Sequence, residues 1–234
     1  MTEQAAHPPY PGAPTPELDA RALYDQAVQL PVDAAQTVYE GRIWDVTSER
    51  FHFAGDVLTR DFVAHTGAVA ILALDENDRV LCIRQYRHPV RLREWEIPAG
   101  LLDIEGEPAL ETAKRELAEE VDLQADHWSV LTDYLTSPGG SNEIVRIFVA
   151  RGLHQIVTDY EREGEELELE LRWVDFDETV AAVLENRVMN SIFKVAILTA
   201  NAMRQEGWKH LQPGDAPWPM RAWRNHTIDS RTAH

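Results

Sequence analysis

Gly67-Ala-Val-Ala-Ile-Leu-Ala-Leu74 runs for eight residues without a polar side chain. A strand packed on one face alternates apolar and polar residues, so an unbroken apolar run of this length reads as a strand covered on both faces. Such a strand needs a layer on each side, and the neighbouring patterns supply them. Asp75-Glu-Asn-Asp78 reads as a turn and Arg79 to Arg87 as the returning strand. Trp95 to Pro98 is a short strand. His127 to Thr136 and Glu143 to Ala150 are two more, joined by Ser137-Pro-Gly-Gly-Ser-Asn142. Leu167 to Val174 alternates as a half-exposed strand does. Helical spacing covers Leu110 to Val121, a segment capped by Asp177 and running to about Asn186, and Ser191 to Gln205. Strands with a few interspersed helices predict an α/β/α sandwich around a mixed sheet, not a doubly wound fold.

The ends read differently. Residues 1–16 are rich in Pro and Ala and are expected to be a disordered tail. Glu17 to Gln29 is predicted to be a helix, with Thr15 as its N-cap and Pro16 in its first turn. Thr37 to Val46, around Tyr39 and Trp44, reads as a strand, and Arg50 to His65 as a hairpin turning at Gly55-Asp56. Residues 17–65 would then be an N-terminal helix and small β segment, 66–206 the main domain, and 207–234 a C-terminal tail. The tail carries Pro213, Pro217, Trp218, Pro219 and Trp223 and is expected to wrap the surface or a second subunit.

The formal net charge of −18 argues against sequence-independent binding to nucleic acid or an anionic membrane. An anionic substrate would need a local Arg cluster or a bound metal ion. The single Cys82 lies in an apolar run, reads as core, and cannot form an internal disulfide, which points to a reduced, cytoplasmic setting. No run reaches transmembrane length, and the first residues lack a signal-peptide pattern. Asn225-His-Thr227 fits a glycosylation sequon that such a setting leaves unused.

Chemistry concentrates between Gly100 and Leu123, a glycine-bearing loop feeding a helix. Leu110, Ala113, Leu117 and Val121 form its buried stripe. Glu116, Glu119 and Glu120 fall at i, i+3 and i+4, so their carboxylates crowd one face. Like charges one turn apart cost roughly 0.2–0.5 kcal/mol per pair, and these sit toward the helix C-terminus, where the dipole prefers cations. A hard divalent cation would relieve both penalties. A solvated acidic face would look the same from spacing alone.

The spelling of this stretch resembles the Nudix box, Gly-x5-Glu-x7-Arg-Glu-U-x-Glu-Glu-x-Gly-U, with U a bulky apolar residue. Glu107-x7-Arg115-Glu116-Leu117-x-Glu119-Glu120-x-x-Leu123 matches across the helix. Two positions depart from the pattern. Six residues, not five, separate Gly100 from Glu107, and Asp122 replaces the second Gly. Arg84-Gln-Tyr-Arg87-His-Pro89, Trp95-Glu-Ile-Pro-Ala-Gly100 and the downstream Pro138 resemble the ADP-ribose pyrophosphatase branch of that family.

The resemblance implies Mg²⁺-dependent hydrolysis of ADP-ribose to AMP and ribose 5-phosphate, with Mn²⁺ as a substitute, in a homodimer that exchanges N-terminal segments. It implies Glu116, Glu119, Glu120 and the backbone carbonyl of Ala99 as metal ligands. Arg87, with Arg84 beside it, would clamp the diphosphate. Arg115 and Glu107 would pair to hold the loop on the helix, Glu111 would pair with Arg115, and Asp103 and Glu105 would be solvated. A Glu from a mobile loop after the box would serve as base. Glu165 and Glu166 in the acidic segment after Tyr160 are the candidates, with Glu119 in a supporting catalytic role and Glu143 as a third candidate that could also contact substrate. Trp44 or Tyr39 would stack the adenine, although strand aromatics also serve as core. Two other readings keep the fold: hydrolysis of a different nucleotide sugar or dinucleotide, and a ligand sensor without catalysis. A sensor would carry a degraded box and usually an attached DNA-binding helical module, whereas here the box carboxylates are intact and the acidic C-terminal helices lack a basic recognition face.

Overall fold

The computed structural model describes residues 25–158, 160 and 168–222. In chain order these form β1 (Val32–Tyr39), β2 (Asp45–Phe53), β3 (Asp56–Ala64), β4 (Ala68–Ala73), β5 (Arg79–Arg87), β6 (Leu92–Glu96), β7 (Ala99–Leu101), α1 (Ala109–Val121), β8 (Leu123–Leu135), β9 (Ile144–Gln155), β10 (Glu170–Asp175), α2 (Phe176–Leu184), α3 (Ser191–Gln205) and β11 (Gln212–Pro213). The tail expected at 1–16, the first part of the helix expected over 17–29, Glu165, Glu166, Trp223 and the Asn225 sequon lie outside the described residues.

The apolar run becomes β4, at the heart of a five-stranded mixed sheet ordered β11-β8-β9-β4-β7. β4 pairs in parallel with β9 and antiparallel with β7. Its side chains divide by parity, as a pleated strand requires. Ala68, Ala70 and Leu72 join Phe176, Ala182 and Val183 of α2 and Phe193, Ala196 and Ile197 of α3 in one core cluster. Val69, Ile71 and Ala73 join Ala113, Leu117 and Val121 of α1 in the other. Helices therefore cover both faces, and the α/β/α sandwich around a mixed sheet is what the chain forms. A second sheet, ordered β10-β5-β6, extends the sandwich. Val80 and Cys82 of β5 pack into the α2/α3 cluster, whereas Leu81 and Ile83 face the α1 cluster. Burial pushes the Cys82 thiol up to about 12, so it behaves as a small core residue.

The third sheet, β1-β2-β3, is the separate N-terminal β segment. Its hairpin turns at Ala54-Gly55, with Phe53 opposite Asp56. The strand expected from Thr37 to Val46 is broken: β1 ends at Tyr39 and β2 begins at Asp45. The break lies at Gly41, where a Cβ would meet the Trp44 carbonyl oxygen at 2.0 Å, so only glycine lets the chain reverse there. Residues 25–31 are not helical. Pro31 disfavours helix in the residue before it, and its carbonyl accepts the His52 N–H at 3.0 Å, extending the β1–β2 edge.

Caps also shift. Asp175, not Asp177, caps α2 by accepting the Asp177 N–H at 2.9 Å. Asn190 caps α3 by accepting the Phe193 N–H at 3.0 Å. Pro108 is the N-cap of α1 and lies outside its first turn. Asp122 ends α1 at φ +56°, the left-handed position that the box pattern fills with glycine.

The described part of the C-terminal tail wraps the chain's own surface. Gln212 and Pro213 add to the edge of β8. Buried Arg146, gripped through two bonds by Asp133, donates to the carbonyls of Ala216 (2.6 Å) and Pro217 (3.0 Å). Its guanidinium lies 4.7 Å from the Trp218 ring centroid. Among the described residues no helix is long and apolar enough to cross a membrane.

Candidate active site

A cavity of about 440 Å³ opens where α1, β5 and β7 meet. α1 contributes Arg115, Glu116, Glu119 and Glu120; β7 contributes Ala99, Gly100 and Leu101; β5 contributes Gln85 and Arg87; Asp103 and Tyr160 complete the lining. The helix presents its carboxylates here because the stripe of Ala113, Leu117 and Val121 is buried against the sheet, which fixes the roll of α1.

Gly100 sets how closely β7 approaches the helix. A Cβ at this position would lie 2.0 Å from Cδ of Glu116. Glu116 is thus pressed against bare backbone, and burial pushes its carboxyl up to about 7 against the pull of Arg115, with Glu119 and Asp103 adding to the rise. Arg115 is the hub of the acidic group. Its Nη1 donates to Glu116 (2.7 Å) and Glu119 (3.0 Å), and its Nη2 and Nε donate to Glu107 (3.2 and 3.3 Å). The Arg115 bonds, with the Thr112 hydroxyl and despite burial, hold the Glu107 carboxyl below its ordinary range. The loop-to-helix pair of Glu107 and Arg115 is therefore present, whereas Glu111 pairs with Lys114 at 2.8 Å instead of with Arg115. Buried Glu120 accepts the backbone N–H of Ala99 at 3.0 Å.

As they stand, no three acidic, His or Cys side chains among the described residues converge to hold an ion. The donor set nevertheless suits a hard cation. Three carboxylates of one helical turn line one cavity with Ala99, oxygen donors of the kind a hard divalent cation prefers.

β5 sorts its arginines by parity. Gln85 and Arg87 face the cavity. Arg84 does not: it pairs with Glu170 at 2.6 Å and its guanidinium lies 5.2 Å from the Trp95 ring centroid, on the other face of the strand. Trp44 and Glu143 are also absent from the cavity lining. Trp44 stacks on His65 with centroids 3.9 Å apart. Glu143 lies 3.2 Å from Nε2 of that same His65 and accepts the Thr136 hydroxyl at 2.6 Å. The Gly67 N–H donates to Nδ1 of His65 (2.9 Å), so the proton of the neutral ring belongs on Nε2, facing Glu143. These two side chains brace the junction between the N-terminal sheet and the sandwich. Tyr39 stays 64% exposed, away from the site.

A family model for the NUDIX domain matches residues 64–193. This chain belongs to the Nudix family. The ADP-ribose pyrophosphatase of Mycobacterium tuberculosis (strain ATCC 25618 / H37Rv) is 39% identical over 186 residues, which is 79% of this chain and 89% of that protein. An ADP-ribose pyrophosphatase of Bacillus subtilis (strain 168) is 33% identical over 165 residues, covering 70% of this chain and 88% of that one. The solved structure of an ADP compounds hydrolase superposes with a TM-score of 0.64, covering 78% of this chain and 99% of the other at 22% identity, a likeness of fold.

The matched region holds the whole Nudix box and every described residue that lines the cavity. Four lining residues escaped sequence reasoning as site residues: Gln85, Leu101, Asp103 and Tyr160. Strand parity could have found Gln85, two residues before Arg87. Asp103, expected to be a solvated loop charge, lines the cavity close enough to add to the rise of the Glu116 carboxyl. Tyr160 had no signal beyond its place before the acidic segment.

Proposed function

We propose that this Nudix protein hydrolyses ADP-ribose to AMP and ribose 5-phosphate with Mg²⁺, Mn²⁺ serving in its place. The observation that carries this reading is one cavity lined both by the Glu116, Glu119 and Glu120 carboxylates and by Arg87. Carboxylates alone would repel a diphosphate; combined with a cation and an arginine they make a site for one. The two pyrophosphatases named above support the choice of ADP-ribose.

In this reading Glu116, Glu119, Glu120 and the Ala99 carbonyl would hold the cation. When bound, Mg²⁺ offsets diphosphate charge and acidifies the attacking water. Arg87 holds the diphosphate oxygens. Water bonds to one phosphorus, the bridging P–O bond breaks toward the other phosphate, and the water proton passes to a carboxylate base. Glu165 or Glu166 is assigned that role, since both follow Tyr160 in the chain and Tyr160 lines the cavity.

The homodimer belongs to the same proposal. Val38, Tyr39, Ile43, Phe53 and Val57 of the N-terminal segment are each more than half exposed. A three-stranded sheet with apolar residues in water is marginal without cover, and a second copy exchanging residues 17–65 supplies it. A cytoplasmic location fits the unpaired, buried Cys82.

The test is a panel of ADP-ribose, other nucleotide sugars and dinucleotides, with Mg²⁺ or with EDTA, in ¹⁸O-labelled water. ADP-ribose should be cleaved fastest, the label should appear on one phosphate product, and EDTA should abolish turnover. Preference for another member of the panel would move the substrate. Failure to cleave any of them would remove the reading.

A further inference from the structure

Glu96 ends β6 and is 3% exposed. Its register opposite Ile83 puts it on the strand face shared by Ile83, Gln85 and Arg87. Both of its oxygens are committed to the two cavity-lining residues of β5. Arg87 donates from Nε to Oε1 and from Nη2 to Oε2, each at 2.8 Å. Gln85 donates from Nε2 to Oε2 at 3.2 Å. An ionised carboxylate only accepts, so the amide of Gln85 must turn its nitrogen to Glu96.

We infer that Glu96 is a positioning residue: it fixes the guanidinium plane of Arg87 and the amide of Gln85 before substrate arrives. The inference rests on the proposed diphosphate-binding role of this cavity. An arginine on a strand end samples many rotamers, and ordering it on binding weakens affinity. The two-bond grip removes that cost in advance. Charge alone makes the opposite forecast. A carboxylate beside Arg87 offsets its pull on an anion, so neutralising Glu96 would then tighten substrate binding. The sign of the effect separates the two.

The experiment is a double-mutant cycle of Glu96→Gln and Arg87→Ala. Glu96→Gln keeps the shape but puts an NH₂ group where Arg87 needs an acceptor. It should raise KM for ADP-ribose about tenfold, the loss of one charge-assisted bond. It should weaken binding of a methylene-bridged ADP-ribose analogue equally, and leave kcat and Mn²⁺ affinity close to wild type. On the Arg87→Ala background it should add nothing. If Glu96→Gln fails to fold, Glu96→Asp, which keeps the charge and withdraws the oxygens, takes its place in the cycle with the same expected direction. A lower or unchanged KM, or effects that multiply across the cycle, would overturn the positioning role while leaving the cavity's assignment intact. A wild-type protein that neither cleaves nor binds a diphosphate-linked nucleotide would instead overturn the assignment itself, and this role with it.

Discussion

A methyl group at position 100 would lie 2.0 Å from the carboxyl carbon of Glu116, inside any allowed contact. The obstructing atoms are the end of a flexible side chain, so Gly100→Ala should fold and displace the Glu116 carboxylate. Misplacing a reacting group by an ångström costs about a hundredfold in rate, and turnover should fall by that order in steady-state assays at saturating Mg²⁺. Turnover within twofold of wild type would show that Glu116 does not work from where it lies. The box pattern made Gly100 legible as a marker, but its physical reason, a carboxylate resting on backbone, needed coordinates. Asp122 stands where the pattern has glycine. A helix end that needs positive φ tolerates Asp better than branched residues, and Asp122 adopts φ +56° there. Glu116 also carries a pH dependence. Burial raises its carboxyl to about 7, against the pull of Arg115, so below that pH a cation must displace a proton to bind. Cation affinity should therefore weaken as pH falls through about 7.

Elements were legible where periodicity was strong. β4 and α1 came from an unbroken apolar run and a clean helical stripe, and the two faces of β4 meet the two helical layers by parity. Parity also decides the arginines of β5, since Arg87 faces the cavity and Arg84 faces Trp95. Sequence reasoning put both at the substrate because it weighed residue type and not strand face. Trp44 and Glu143 meet His65 instead of the cavity for a related reason. Their partner His65 lies far from Glu143 in the chain, and only the packing of the N-terminal sheet on the β8–β9 connection brings the three together. The Thr37–Val46 strand failed because Gly41 reads as a weak point in a strand, yet here it is a reversal.

At the scale of the whole molecule, a chain with net charge −18 sets Arg87 and Arg115 beside Asp103, Glu116, Glu119 and Glu120 in one cavity. The N-terminal segment leaves Val38, Tyr39, Ile43, Phe53 and Val57 more than half exposed, and the proposed dimer rests on that. Light scattering should report twice the 26.6 kDa of the chain; a mass of one chain at micromolar concentration would remove the dimer. If the carboxylate face of α1 grips a divalent cation, a Mn²⁺ titration by electron paramagnetic resonance at pH 8 should separate wild type from the Glu116→Gln/Glu120→Gln variant. The variant should keep its circular dichroism and lose Mn²⁺ affinity by at least about tenfold. Equal affinity in the two proteins would contradict that grip.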